Sequence, residues 1–178
     1  MVWQVTTSLD GFISGPDDDM DWMAGVFTGP NPVVEAFLAN LGACVVGRRT
    51  WGVGASEDGT ALYGGAWHGP TYVLTHHVPR AGDPGYGDPV ARYTDEPLAQ
   101  VLATAIEAAG KDVNLVGASV ATQCLDAGLV DEIVLHVAPV MLGRGTRLFE
   151  GAFVRFDWTA ADLAGGVVNL RLRPRAVA

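Results

Sequence analysis

Lysine is almost absent from this sequence. Lys111 stands alone beside ten arginines in 178 residues. Acids outnumber bases 20 to 11, for a formal charge of −9. Most nucleic-acid binders draw their affinity from the phosphate field, which repels a chain this acidic, so DNA and RNA are not expected partners. Long hydrophobic runs are missing too: none reaches the roughly 18–20 residues of a membrane span. The start, Met1-Val2-Trp3-Gln4-Val5, lacks the basic region and long apolar stretch of a signal peptide. Cysteine is scarce. Cys44 and Cys124 sit in apolar stretches and make no disulfide framework, so a reduced, cytoplasmic setting is expected.

What is present favours a core. Hydrophobic residues make up 49% and charged residues 17%, enough to fold one compact domain over residues 1–178. The charge is uneven. Residues 1–60 hold 8 acids and 2 bases, 61–139 hold 9 and 3, and 140–178 hold 3 and 6. The two bases of the first third are the adjacent Arg48 and Arg49.

Val2–Ser8 reads as a strand, and the polar stretch after it reads as loop to about Pro32. Val33–Leu41 has apolar residues three and four apart and predicts a helix stopped by Gly42. Ala43–Val46 is a short apolar run of the buried-strand kind. A helix is expected from Gly47-Arg48-Arg49-Thr50-Trp51, then a glycine-rich loop over 52–70 and a strand at Thr71–Thr75. A weaker strand falls near Val90–Tyr93. Pro97–Ala109 reads as a helix with proline in its first turn and Gly110 past its end. Asp112–Val116 and Glu132–Val137 read as strands flanking a helix at Ala118–Ala127. Two tail strands are expected at about 152–159 and 167–173, joined through Gly165-Gly166. Such alternation predicts an α/β fold around a mixed sheet with an antiparallel C-terminal edge.

In such sheets ligands sit beyond the carboxyl ends of the strands. Two junctions there carry suggestive residues. Gly47-Arg48-Arg49-Thr50 places two guanidiniums and a hydroxyl at a helix start, a plausible phosphate clamp, or else arginines paired with nearby carboxylates. Gly117-Ala118-Ser119-Val120 repeats strand, small residues and helix start. Thr75-His76-His77 ends a strand, where neighbours point to opposite faces and do not chelate one metal. His68 and His136 have no zinc spacing, and His136 reads as a satisfied core or edge histidine. Asp17-Asp18-Asp19-Met20-Asp21 opens like a calcium loop, but Trp22 stands where glycine is required, so a solvated acidic turn is expected.

Three segments resemble the dihydrofolate reductase superfamily: Ser8-Leu9-Asp10-Gly11-Phe12-Ile13, Gly47-Arg48-Arg49-Thr50-Trp51, and Gly117-Ala118-Ser119 through Gly128-Leu129-Val130-Asp131-Glu132 to Pro139-Val140-Met141-Leu142-Gly143-Arg144-Gly145 and Leu148-Phe149. Within it the chain is most similar to stand-alone relatives of the reductase domain in bifunctional riboflavin-biosynthesis deaminase-reductases. The resemblance implies a three-layer α/β fold with a mostly parallel sheet of about eight strands, helices on both faces, and NADPH as cofactor. Carried over by position, it implies that Arg48, Arg49 and Thr50 hold the 2′-phosphate and pyrophosphate, with Thr75 and His76 beside them and Gly47 at the turn. It implies pyrophosphate contacts from Gly117, Ala118, Ser119 and Val120. Backbone near Thr6 and Ile13 would fix the nicotinamide amide under a mobile loop at 14–24. Asp10 and Glu35 are the candidate catalytic acids. A homodimer through the apolar C-terminal strands is implied by analogy.

The chain also departs from the family. Gly117-Ala118 replaces a Gly-Gly, Gln4 replaces a lysine, no Asp-Pro-x-Leu follows in 52–62, and Glu35 lies about two positions from the folate reductases' carboxylate. Dihydrofolate turnover is not expected. The expected function is hydride transfer from NADPH to a small heterocyclic or carbonyl compound. The alternatives are 5-amino-6-(5-phosphoribosylamino)uracil reduction and, from a different class, a non-catalytic NADPH-binding sensor.

Overall fold

The computed structural model describes residues 1–54, 62–83 and 86–175. In chain order its elements are β1 (Val2–Ser8), β2 (Phe12–Ser14), α1 (Pro32–Asn40), β3 (Leu41–Gly47), α2 (Arg48–Gly54), β4 (Thr71–Leu74), β5 (Ala91–Thr94), α3 (Leu98–Ala109), β6 (Asp112–Val116), α4 (Ala118–Asp126), β7 (Glu132–Ala138), β8 (Thr146–Arg147), β9 (Phe156–Ala164) and β10 (Val167–Pro174). The main sheet has eight strands in the order β5-β4-β3-β6-β1-β7-β10-β9, and β2 pairs with β8 in a second, small sheet. This is the three-layer, mostly parallel α/β architecture that the alternation and the resemblance predict. The part of the expected glycine-rich loop at 55–61 lies outside the described residues.

The chain divides into two compact units, Met1–Ala39 with Ala121–Ala178, and Asn40–Val120. In the second unit β3 pairs in parallel with β4 and β6, and β4 with β5. Val45, Val46, Val73 and Leu115 are fully buried there, as strands covered on both faces require. Burying each such side chain contributes about 1.5–3 kcal/mol. In the first unit β1 runs parallel to β7, and β10 lies antiparallel between β7 and β9. The edge strand β9 is mostly exposed and carries Trp158 and Leu163 at 68% and 80% exposure.

Several expectations are corrected. Gly42 does not stop α1; it lies inside β3, because a Cβ there would stand 2.7 Å from the Ala109 carbonyl and 2.9 Å from the Lys111 Cβ. The glycine serves close approach to the end of α3. Pro97 caps α3 from outside its first turn. The ninth strand begins at Phe156 instead of near 152, since β10 ends at Pro174, directly opposite Phe156; beyond that pair the Arg175 N–H donates to the Arg155 carbonyl at 2.8 Å. The β2–β8 pair has no counterpart in the sequence reading, being too short for periodicity to register.

Candidate functional site

The two junctions singled out by sequence lie together in the second unit. Strand β3 runs into Gly47 and α2, and β6 runs into Gly117 and α4. Gly117 has φ +96°, where an L side chain is strained. A Cβ there would overlap Thr50 Oγ1 and stand 3.3 Å from Thr50 Cβ. Thr50 therefore rests against the bare backbone of the second junction. Val120 is buried, and its Cγ2 lies 3.7 Å from where a Cβ on Gly47 would stand. Gly47, Thr50, Gly117 and Val120 thus form one packed floor. Ala118 is half-buried, while Ser119, Arg48 and Arg49 are exposed. The Arg48 side chain runs back along α2, with Nη1 3.0 Å from a notional Cβ on Gly52.

Thr75 follows β4, and its backbone N–H donates to the Thr94 carbonyl at 2.9 Å. Its hydroxyl accepts from the His77 N–H at 3.1 Å, a local turn that leaves the neighbouring His76 exposed. In the first unit, Thr6 lies on β1 opposite His136 of β7, and Ile13 lies on β2. The β1 and β2 strands are tied by Thr7 Oγ1 donating to the Phe12 carbonyl at 3.1 Å and by the Phe12 N–H donating to Ser8 Oγ at 2.9 Å.

Asp10 is held by its neighbours. Its carboxylate accepts from Ser8 Oγ at 2.6 Å, the Gly143 N–H at 2.7 Å and the Leu142 N–H at 3.1 Å. Those donors, the Ser8 hydroxyl foremost, lower its pKa to about 2. An ionised, triply engaged carboxylate ties the Leu142-Gly143 loop to β1; it is a poor proton donor near neutral pH. Glu35 is exposed on α1.

Residues 95–171 match the family profile of the RibD C-terminal domain. The fold is that of a RibD-type reductase. Proteins of that type are oxidoreductases, and they generally use NADPH. The chain is 27% identical over 158 residues to protein YyaP of Bacillus subtilis (strain 168), covering 84% of this chain and 79% of that one. A candidate riboflavin biosynthesis protein from Shewanella sp. PV-4 superposes with a TM-score of 0.77 at 23% identity, covering 98% of each chain. The diaminohydroxyphosphoribosylaminopyrimidine deaminase/5-amino-6-(5-phosphoribosylamino)uracil reductase of Thermotoga maritima superposes with a TM-score of 0.69 at 14% identity, over 98% of this chain and 56% of that one.

The RibD-type fold also contains a buried polar group that the sequence reading only half identified. His136 is fully buried; its Nδ1 lies 2.6 Å from Asn169 Oδ1, which also accepts from Asn31 Nδ2 at 2.9 Å. Asn31 caps α1, accepting from the Val33 N–H at 3.1 Å. Asn31 directly before Pro32 is the signal that sequence reasoning passed over. His136 is the core histidine expected but only half satisfied, because Nε2 has no partner among the described residues. Burial, then the hydrogen bond geometry and the Arg171 charge, set its pKa, which is lowered overall. The buried cysteines are not reactive groups: burial raises both thiols, Cys124 to about 11. Among the described residues no three His, Cys, Asp or Glu side chains gather as a metal site would require, and no helix is long and apolar enough to cross a membrane.

Proposed function

We propose that this protein is an NADPH-dependent reductase that transfers hydride to a small heterocyclic or carbonyl substrate. The observation that carries the reading is the contact of Thr50 with Gly117: two strand-to-helix junctions meet where a Cβ would fill the space, one of them carrying two exposed arginines. That floor fits a ligand with more than one phosphate. Arg48, Arg49 and Thr50 take the 2′-phosphate and pyrophosphate by charge-assisted hydrogen bonds, with Thr75 and His76 at the 2′-phosphate side. Main-chain N–H groups at Gly117, Ala118, Ser119 and Val120 complete the pyrophosphate contacts at the start of α4. Backbone at Thr6 and Ile13 takes the nicotinamide amide.

When bound, the cofactor supplies the hydride; the protein orients substrate and excludes water. Asp10 serves by holding the Leu142-Gly143 loop. With Asp10 ionised and Glu35 exposed, the proton comes from water. The protein works in the cytoplasm as a homodimer, associating through the exposed apolar residues of the C-terminal strands.

The RibD C-terminal match over 95–171 supports a narrower version, reduction of 5-amino-6-(5-phosphoribosylamino)uracil, the activity in the name of the Thermotoga maritima protein. The engagement of the Asp10 carboxylate by three donors, with Glu35 exposed, supports a different class, a sensor that binds NADPH without turnover. Fluorescence titration with NADPH and NADH separates these readings from no nucleotide site at all, with tighter NADPH binding expected. Oxidation of NADPH by any of a panel of pterins, pyrimidines, quinones and small carbonyls then separates reductase from sensor. Equal affinity for both nucleotides would remove the 2′-phosphate assignment.

A further inference from the structure

Two adjacent cross-strand pairs share one face of β7 and β10 in the first unit. His136 stands opposite Asn169, and two residues along, Val137↔Val168 register places Ala138 beside Val167. The first pair is polar and the second apolar, and both are covered by the segment between β2 and α1. Trp22 of that segment packs on the cluster of Val26, Ala138 and Val167. Phe27 sets its ring edge-on to His136 with centroids 6.0 Å apart, and Asn31 bonds Asn169.

The hydrogen-bond network fixes the tautomer. Asn169 Nδ2 donates to the Ala164 carbonyl at 3.3 Å, so Oδ1 is the atom facing His136 and Nδ1 carries the proton. Nε2 is then a bare acceptor, fully buried and without a donor among the described residues. Trp22 Nε1, a donor only, is likewise buried and without an acceptor. Buried polar groups are nearly always paired, and an exception calls for a bound molecule, a water or a function. Here one covering segment hides an unmatched acceptor and an unmatched donor. A neutral guest carrying both an N–H or O–H and a carbonyl would supply a partner of the right kind to each.

The cover is held by apolar packing and by hydrogen bonds at one end. At its C-terminal end the Thr28 N–H donates to the Gly165 carbonyl and Asn31 Nδ2 to Asn169, while Trp22 and Val26 hold its middle by apolar packing. Asp17 and Asp18 both hold positive φ, 56° and 63°, and Phe27 keeps 37% of its surface exposed.

We propose that His136 is a ligand-recognition residue: when the segment carrying Trp22 and Phe27 lifts, Nε2 accepts a hydrogen bond from the N–H of a neutral heterocycle and Trp22 Nε1 donates to its carbonyl. The proposal deepens the reductase reading and rests on it for the guest being the hydride acceptor. Asn169 and Asn31 act as positioning residues, keeping the imidazole in the Nδ1–H form so that its free nitrogen selects donors.

The test needs no nucleotide. Uniformly 15N-labelled full-length protein is titrated with uracil, which has N–H donors beside carbonyls, and in parallel with 1,3-dimethyluracil, which keeps the ring and carbonyls but has no N–H. The His136 Nε2 and Trp22 Nε1 resonances are followed. Uracil is expected to move both along one saturable curve, with Nε2 shifting upfield as an acceptor does on gaining a donor. Dimethyluracil is expected to leave Nε2 in place. In Phe27→Ala, where the cover loses its contact with the imidazole, the same shifts are expected at lower uracil concentration. Silence of Nε2 in both proteins overturns the proposal, as does an equal response to both compounds. A long-lived water at Nε2 that uracil does not disturb also overturns it, making the pair a hydration site. Loss of NADPH binding alongside a positive uracil titration would sink the reductase reading and leave this site standing.

Discussion

Replacing Gly117 by alanine tests the floor of the proposed cofactor site without touching its charged groups. Two costs are expected. At φ +96° an L residue is strained, by about 1–2 kcal/mol for left-handed backbone. The new methyl also overlaps Thr50 Oγ1, which must rotate off its preferred rotamer at about 0.5–1.5 kcal/mol. The sum, about 1.5–3.5 kcal/mol, corresponds to a fall in Tm of roughly 3–14 °C for a chain of this size. NADPH affinity should fall with it, because rotation of Thr50 moves a proposed phosphate ligand. The decisive measurement is a double-mutant cycle by thermal unfolding and NADPH titration. Thr50→Ala deletes the overlapping hydroxyl, so Gly117→Ala should cost less stability in that background, by at least the rotamer contribution of about 0.5–1.5 kcal/mol. If the two substitutions add within about 0.3–0.5 kcal/mol, the limit for independent sites, the junctions do not support each other and the reasoning fails.

Other expectations can be checked with single substitutions. Arg48→Ala should weaken NADPH binding by about 1–3 kcal/mol, the scale for a hydrogen bond to a charged group, and hardly change NADH binding. Asp10→Asn should speed hydrogen exchange at the Leu142 and Gly143 amides, which donate to that carboxylate. Because its pKa is lowered to about 2, the Asp10 clamp should hold above the ordinary carboxylate range near pH 4 and loosen as pH falls toward 2, followed at the Gly143 amide resonance. The lowered pKa of His136 has the same sign for stability. The folded state resists protonation, so stability from this group is complete above about pH 6.5 and declines below it, by at most about 1.4 kcal/mol per pH unit. Urea unfolding from pH 7.5 to 5 should show that slope in wild type, and His136→Gln should flatten it. In sedimentation, Trp158→Glu with Leu163→Glu should shift the proposed homodimer to monomer.

Much of this fold was legible in the chain because its central strands are short and mostly apolar. Ala43–Val46 and Asp112–Val116 declare themselves by composition, and their helices by period and by Gly110. Gly42 misled because a glycine after a helical pattern reads as a stop, whereas its role is close approach to the Ala109 carbonyl, a contact between residues far apart in sequence. Both phosphate junctions were visible as strand, glycine, helix. Their mutual contact was not, since nothing local links Thr50 to Gly117. Asp10 was legible as an acid beside a turn, but its binding to two amides 132 and 133 residues away was not. His136 showed only as one polar residue in an apolar alternation. Which of its nitrogens lacked a partner depended on Asn169 and Asn31, brought in from two other segments.

The edge strand β9 brings the overall charge back into the argument. Its exposed backbone and its Trp158 and Leu163 side chains invite pairing with another strand, while Asp157 and Asp162 sit along the same nine residues. Every approaching copy also carries −9. At low ionic strength that repulsion reaches far from the surface, about 30 Å at 0.01 M; at 0.1 M it is screened beyond about 10 Å. Association through this edge should therefore strengthen with added salt, the reverse of a protein held by phosphate contacts. Ionic strength becomes a control over the quaternary state, and a dilute, salt-free preparation would favour separate chains.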